Sequence, residues 1–103
     1  MAVRVRKAAS LRLDKIYRYT RDRWGAKQAE RYITDLFAAF DRIEGHGVAS
    51  RTIPAEFGVG DFYFRHEHHF VYWRRLSDGD IGIVTILHER MHQTARYRDD
   101  LGN

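Results

Sequence analysis

No cysteine occurs among the 103 residues of this chain, which removes disulfides and thiolate metal ligands from consideration and suits a reducing compartment. No stretch comes near the roughly 20 consecutive apolar residues that a bilayer-spanning helix needs. The first ten residues alternate basic and apolar side chains and lack the apolar core of a secretory leader. The chain is therefore expected in the cytoplasm, with no membrane partner. Internal repeats and low-complexity segments are also missing, and the length fits one domain spanning residues 1–103, too short for a catalytic cleft between two lobes.

Hydrophobic residues make up 44% of the chain and charged residues 31%, a composition that can bury a core. The formal charge is +4, which favours an acidic partner. The basic residues are spread along the chain, so nucleic acid is not expected as a direct partner.

The pattern of apolar positions sets out the elements. "AVRVRK", residues 2–7, alternates like a short strand with one wet face. Ser10 is a candidate N-cap for a helix from Leu11 to Trp24, with Leu13, Ile16, Tyr17, Thr20 and Trp24 as its apolar stripe. Gly25 breaks it, and a second helix runs from Ala26 to Ile43 with Ala29, Tyr32, Ile33, Leu36, Phe37, Phe40 and Ile43 on one face. A break of one glycine makes the two an antiparallel hairpin. Residues 45–60, with Pro54 and Gly58 to Gly60, read as loop. Then the period falls to two in "DFYFRHEH", "HFVYWRRL" and "IGIVTILH", with "SDGD" as the turn before the last. The tail "QTARYRDDLGN" reads as a short helix or a mobile end. The expected fold is α+β, in the order β-α-α-β-β-β, with the hairpin packed on one face of a small, mostly antiparallel sheet. The first strand should pair beside one of the later three.

This order resembles the RelE/ParE superfamily of toxins, and its ParE branch in particular. The residues that carry the likeness are Ile16, Tyr19, Trp24-Gly25, Gln28-Ala29 and Tyr32, within "IYRYTRDRWGAKQAERY". Downstream they are Arg65, His69, Tyr72, Gly82, Ile83, Ile86-Leu87-His88 and Arg90-Met91. The likeness runs from Ala9 to Met91. Two departures stand out: His92 occupies a position that is commonly aspartate in the family, and the loop over residues 45–60 is longer than usual.

His88-Glu89-Arg90-Met91-His92 also spells H-E-x-x-H, the zinc-binding pattern of metalloproteases. That chemistry needs a helix, and "GIVTILH" ends a strand. Residues four apart on a strand are roughly 13 Å apart, too far to share one tetrahedral ion. No third ligand is indicated, so neither a metal nor any cofactor is expected. The histidines of "RHEHH", residues 65–69, read as partly solvated edge residues. Trp24, Tyr32, Phe37, Phe40, Phe62, Phe64, Phe70 and Tyr72 read as core.

The ParE resemblance implies a toxin that poisons DNA gyrase by binding it and not by catalysis. The residues expected to touch that target are Arg90, Met91, Arg96, Tyr97 and Arg98. It also implies a cognate, acidic, ParD-like antitoxin that lays an amphipathic helix in a groove and adds an extended segment to a sheet edge. Arg4, Arg6, Tyr17 and Trp24 are the residues expected to meet it. The alternative within the superfamily is a RelE-like ribosome-dependent mRNA endonuclease. Arg65, Glu67, Arg74, His88 and Arg90 would then supply the acid–base groups and the charge for RNA cleavage. A third possibility is a non-toxic protein-binding module.

Overall fold

The computed structural model describes residues 2–45, 50–52 and 61–101. In chain order the elements are β1 (Val3–Val5), α1 (Lys7–Trp24), α2 (Ala26–Glu44), β2 (Arg51–Thr52), β3 (Asp61–His66), β4 (His69–Arg75), β5 (Ile81–His88) and α3 (Gln93–Leu101). One five-stranded sheet has the order β1-β5-β4-β3-β2. Only β1 runs parallel to its neighbour, Val3 to Val5 lying beside Ile81 to Ile83; the remaining pairs are antiparallel. The α+β class, the hairpin and the edge position of β1 are as the sequence implies. β2 adds a two-residue strand, and the tail resolves into a helix. Residues 46–49 and 53–60 of the expected long loop lie outside the described residues.

α1 begins at Lys7, not after Ser10, and Arg6 caps it without a side-chain hydrogen bond. Ala8 and Ala9 are buried at 5% and 0% exposure, so packing of two strong helix formers extends the helix past the serine. Gly25 alone joins α1 to α2, at φ 95° and ψ 163°. That region belongs to glycine, because a Cβ there collides with its own backbone. The hairpin buries Leu13, Ile16, Leu36, Phe40 and Ile43 against Phe64, Val71, Trp73, Ile81, Ile83 and Ile86 of the sheet. Trp24 and Phe37 depart from the expected core, with exposures of 63% and 44%. Trp24 sits in the last turn of α1, beyond the area that the sheet covers.

The opposite face of the sheet is covered by α3, with Tyr97 and Leu101 against Tyr63, Phe70, Tyr72, Val84 and Leu87. Both faces of β5 are thus dry, and Ile81 through Leu87 are all buried. A register shift allows this: Tyr72 faces Thr85 while Trp73 faces Ile83, leaving Val84 as an extra residue. The bulge reverses the alternation, so that Ile81, Ile83 and Ile86 meet the hairpin while Val84 and Leu87 meet α3.

Candidate functional site

β3 and β4 turn through Glu67 and His68, with His66 opposite His69 and His69 opposite His88. Glu67 has φ 51°, an uncommon conformation for a residue with a side chain. The turn gathers four histidines and two glutamates at one end of the sheet. The His69 ring lies 5.2 Å from that of His88, which lies 6.4 Å from that of His68. Tyr32, reaching down from α2, places its hydroxyl 2.5 Å from His69 Nδ1. Burial, reinforced by the neighbouring His88, His68 and His66, lowers the His69 pKa to about 4. Burial and then Glu67 push the Tyr32 hydroxyl up to about 12. The pair is therefore uncharged at neutral pH and closes the seam between hairpin and sheet.

Glu89 is the hub of the outer side. One oxygen accepts from Arg65 at 2.6 Å, and the other lies 2.6 Å from His68 Nδ1. Hydrogen bonding from His68, with the Arg65 charge beside it, holds its carboxyl below the ordinary range. The segment then leaves the sheet: His88 Nδ1 accepts the Arg90 N–H, and Gln93 donates to the carbonyls of His88 and Met91. His92 Nδ1 accepts the Ala95 N–H, so His92 caps α3. The H-E-x-x-H letters are thus spread over a strand end, a turn and a helix cap. Among the described residues no group of three or more His, Asp or Glu side chains is placed to hold a metal ion. His92 does at this position what an aspartate does at an N-cap.

Of the residues expected to meet a target, Arg90, Met91, Arg96 and Arg98 are exposed. Tyr97 is the correction: it is 2% exposed and donates its hydroxyl to Asp61, anchoring α3 instead of facing outward. Asp61 also takes a two-pronged bond from Arg74 at 3.0 and 2.8 Å. Arg74 therefore stands apart from Arg65, Glu67, His88 and Arg90, with which it was grouped. It lies five residues along β4 from His69, about 17 Å at strand rise, and its charge is already engaged. A second anchor is Asp100, which accepts from Thr85 at 2.7 Å and from Arg12 of α1 at 3.0 and 3.3 Å. Asp61, Asp100, Glu89 and the Tyr32–His69 pair escape sequence reading, because their partners lie far away in the chain and follow no spacing rule.

The residues expected to meet an antitoxin fall in three places. Arg4 projects from the edge strand β1 and pairs with Asp78 at 2.9 Å and Asp80 at 3.1 Å, and Arg6 follows at the strand's end. Tyr17 lines a shallow groove on the hairpin with Ser10, Leu13, Asp14, Ile33 and Phe37, with room for about 250 Å³. Trp24 lies at the hairpin tip, seven residues further along α1, about 10 Å at helical rise.

The sequence matches, over residues 3–93, the family described as ParE toxin of type II toxin-antitoxin system, parDE. This chain belongs to the ParE toxin family. It is 34% identical over 84 residues to Toxin ParE1 of Mycobacterium tuberculosis, covering 82% of this chain and 85% of that protein. With Toxin ParE of Escherichia coli the identity is 36% over 86 residues, or 84% and 82% of the two chains. Among solved structures, a chain of the chromosomal ParDE system from P. aeruginosa superposes with a TM-score of 0.67 at 18% identity, covering 85% of this chain and 95% of that one. A chain of the RelBE2 toxin–antitoxin complex from Mycobacterium tuberculosis gives 0.59 at 18% identity, with 84% and 95% covered. At those identities the likeness speaks for the RelE/ParE fold. The described helices of this ParE chain include none long and apolar enough to cross a membrane.

Proposed function

We propose that this ParE chain acts in the cytoplasm by binding and inhibiting DNA gyrase, and that a cognate acidic, ParD-like antitoxin neutralises it. The observation that supports this best is the family match over residues 3–93, which ends within the exposed segment carrying Arg90 and Met91. Met91 is 37% exposed beside Arg90, with Arg96 on the first turns of the following helix. An exposed apolar side chain with arginines close by in the chain is the chemistry of a protein-binding hot spot. For the antitoxin, the hairpin groove at Leu13, Tyr17, Ile33 and Phe37 suits the apolar face of a helix. The outer edge of β1 offers backbone groups to an extended segment. The Arg4 side chain is 62% exposed, and its pairing gives way at little cost. Arg4→Glu with Arg6→Glu is expected to weaken antitoxin binding at low salt; an unchanged affinity would remove β1 from that interface.

The second reading, a ribosome-dependent mRNA endonuclease, is supported by the gathering of Arg65, Glu67, His88 and Arg90 at one end of the sheet. Against it, Arg65 is paired to Glu89 and Arg74 to Asp61. Adding the purified protein to a supercoiling reaction and to a coupled translation reaction decides between them. Inhibited supercoiling or accumulated cleavage complexes, with translation intact, is the expected result. Codon-positioned cuts in mRNA, with supercoiling untouched, would establish the nuclease.

A further inference from the structure

The tip of the helical hairpin carries two large aromatic side chains in the open. Tyr19 is 56% exposed and Trp24 63%, and their rings meet edge to face at 6.2 Å. Single exposed apolar residues are ordinary, but two in contact are a patch that asks for a partner. The Arg23 guanidinium lies over both rings, 5.4 Å from the Tyr19 centroid and 5.6 Å from that of Trp24. Among the described residues no carboxylate pairs with Arg23, so the rings fix its position and leave its charge uncompensated. Residues 18–31 hold five basic and two acidic residues, all exposed, a net +3 against +4 for the whole chain. The two rings thus stand on a stretch of chain with a net positive charge.

We infer that Tyr19, Arg23 and Trp24 form a knob that enters an acid-rimmed apolar pocket on the toxin's target protein. The inference rests on the target reading given above and adds a second contact to it. Shape favours a protein pocket: the knob caps a convex helix end, whereas a single nucleic-acid strand is followed by a basic groove. Charge opposes a tip-to-tip contact between two copies of this chain. Position favours the target over the antitoxin. Tyr32, only about 9 Å along α2 from the tip at helical rise, already touches His66 and His69 at the end of the sheet from which Arg90 and Met91 emerge. Knob and arginine segment therefore sit at the same end of the fold, while the groove starts at Tyr17 and Ile33 and runs away from the tip to Ser10 and Phe37.

The test uses immobilised gyrase, a co-expressed cognate antitoxin, and the Trp24→Ala and Arg23→Glu variants. Both side chains are exposed, so the fold should survive; emission from the buried Trp73 checks this. Each variant is expected to bind gyrase about tenfold or more weakly, as hot-spot changes do, and Arg23→Glu, which touches none of the residues expected to meet the antitoxin except the Trp24 ring beneath it, keeps its antitoxin affinity. Undiminished gyrase binding by both variants would overturn the knob. So would loss of antitoxin affinity in its place, or saturable quenching of Trp24 by a single-stranded oligonucleotide at physiological salt. A wild-type protein that does not bind gyrase at all refutes the target reading itself, and the knob with it.

Discussion

At the scale of single residues, the molecule is governed by where protons and caps sit. His69 has an ordinary pKa of 6.5 in the unfolded chain and about 4 in the folded one. Between those values the unfolded chain takes up a proton that the folded chain refuses, so stability falls as pH drops through that window and levels off below it. Urea midpoints measured from pH 7 down to pH 5 should show this slope, and His69→Gln should flatten it; an equally steep variant would place the effect elsewhere. His92 caps α3 through Nδ1. His92→Asp replaces that acceptor with a carboxylate at a helix N-terminus and should stabilise the protein by about 0.5–1 kcal/mol. Denaturant titration at neutral pH measures it, and no gain would mean that the histidine already caps α3 as well as aspartate would.

At the scale of elements, α3 is a clamp and not a free tail. Tyr97 and Arg74 meet on Asp61, which is 2% exposed, and Arg12 and Thr85 meet on Asp100. Burial and its bond to Asp61 push the Tyr97 hydroxyl pKa upward, so it remains a donor throughout the working range. Asp61→Ala strips the buried Tyr97 hydroxyl and the half-buried Arg74 of their acceptor and should cost about 2 kcal/mol, whereas Tyr97→Phe should cost about 1 kcal/mol. Amide exchange in residues 93–101 should accelerate in both; protection equal to wild type would show that apolar contacts alone hold the helix. Elements with a period were legible in the sequence: both helices of the hairpin and three strands follow from spacing, and Gly25 marks the break. What was not legible has a common cause. Trp24 extends past the sheet and Phe37 faces the hairpin groove beside buried Leu36 and Phe40, and periodicity carries no information about where a neighbour ends. Tyr97 likewise faces inward because of Asp61, 36 residues away. The bulge at Val84 hides in a strand buried on both faces, where alternation gives no signal.

At the scale of the whole molecule, the sheet end carries a compact polar cluster. The hairpin tip carries two exposed aromatic rings under Arg23, and the segment after β5 carries an exposed methionine beside Arg90. This arrangement suits an inhibitor that occupies a partner: Arg65 and Arg74 are committed to internal carboxylates, and exposed Arg23 lies over two exposed rings. Charge reversal at Arg90 and Arg96 should slow association with an acidic surface and reduce its salt sensitivity; association rates at low and high salt test this, and identical rates would take the segment out of the contact. The most direct measurement is a titration of gyrase supercoiling activity with purified toxin at fixed enzyme concentration. Activity should fall with the molar ratio of toxin to gyrase, not with incubation time, and return on adding antitoxin. Full activity at a large excess of toxin, beside a translation reaction halted by cut mRNA, would contradict the account.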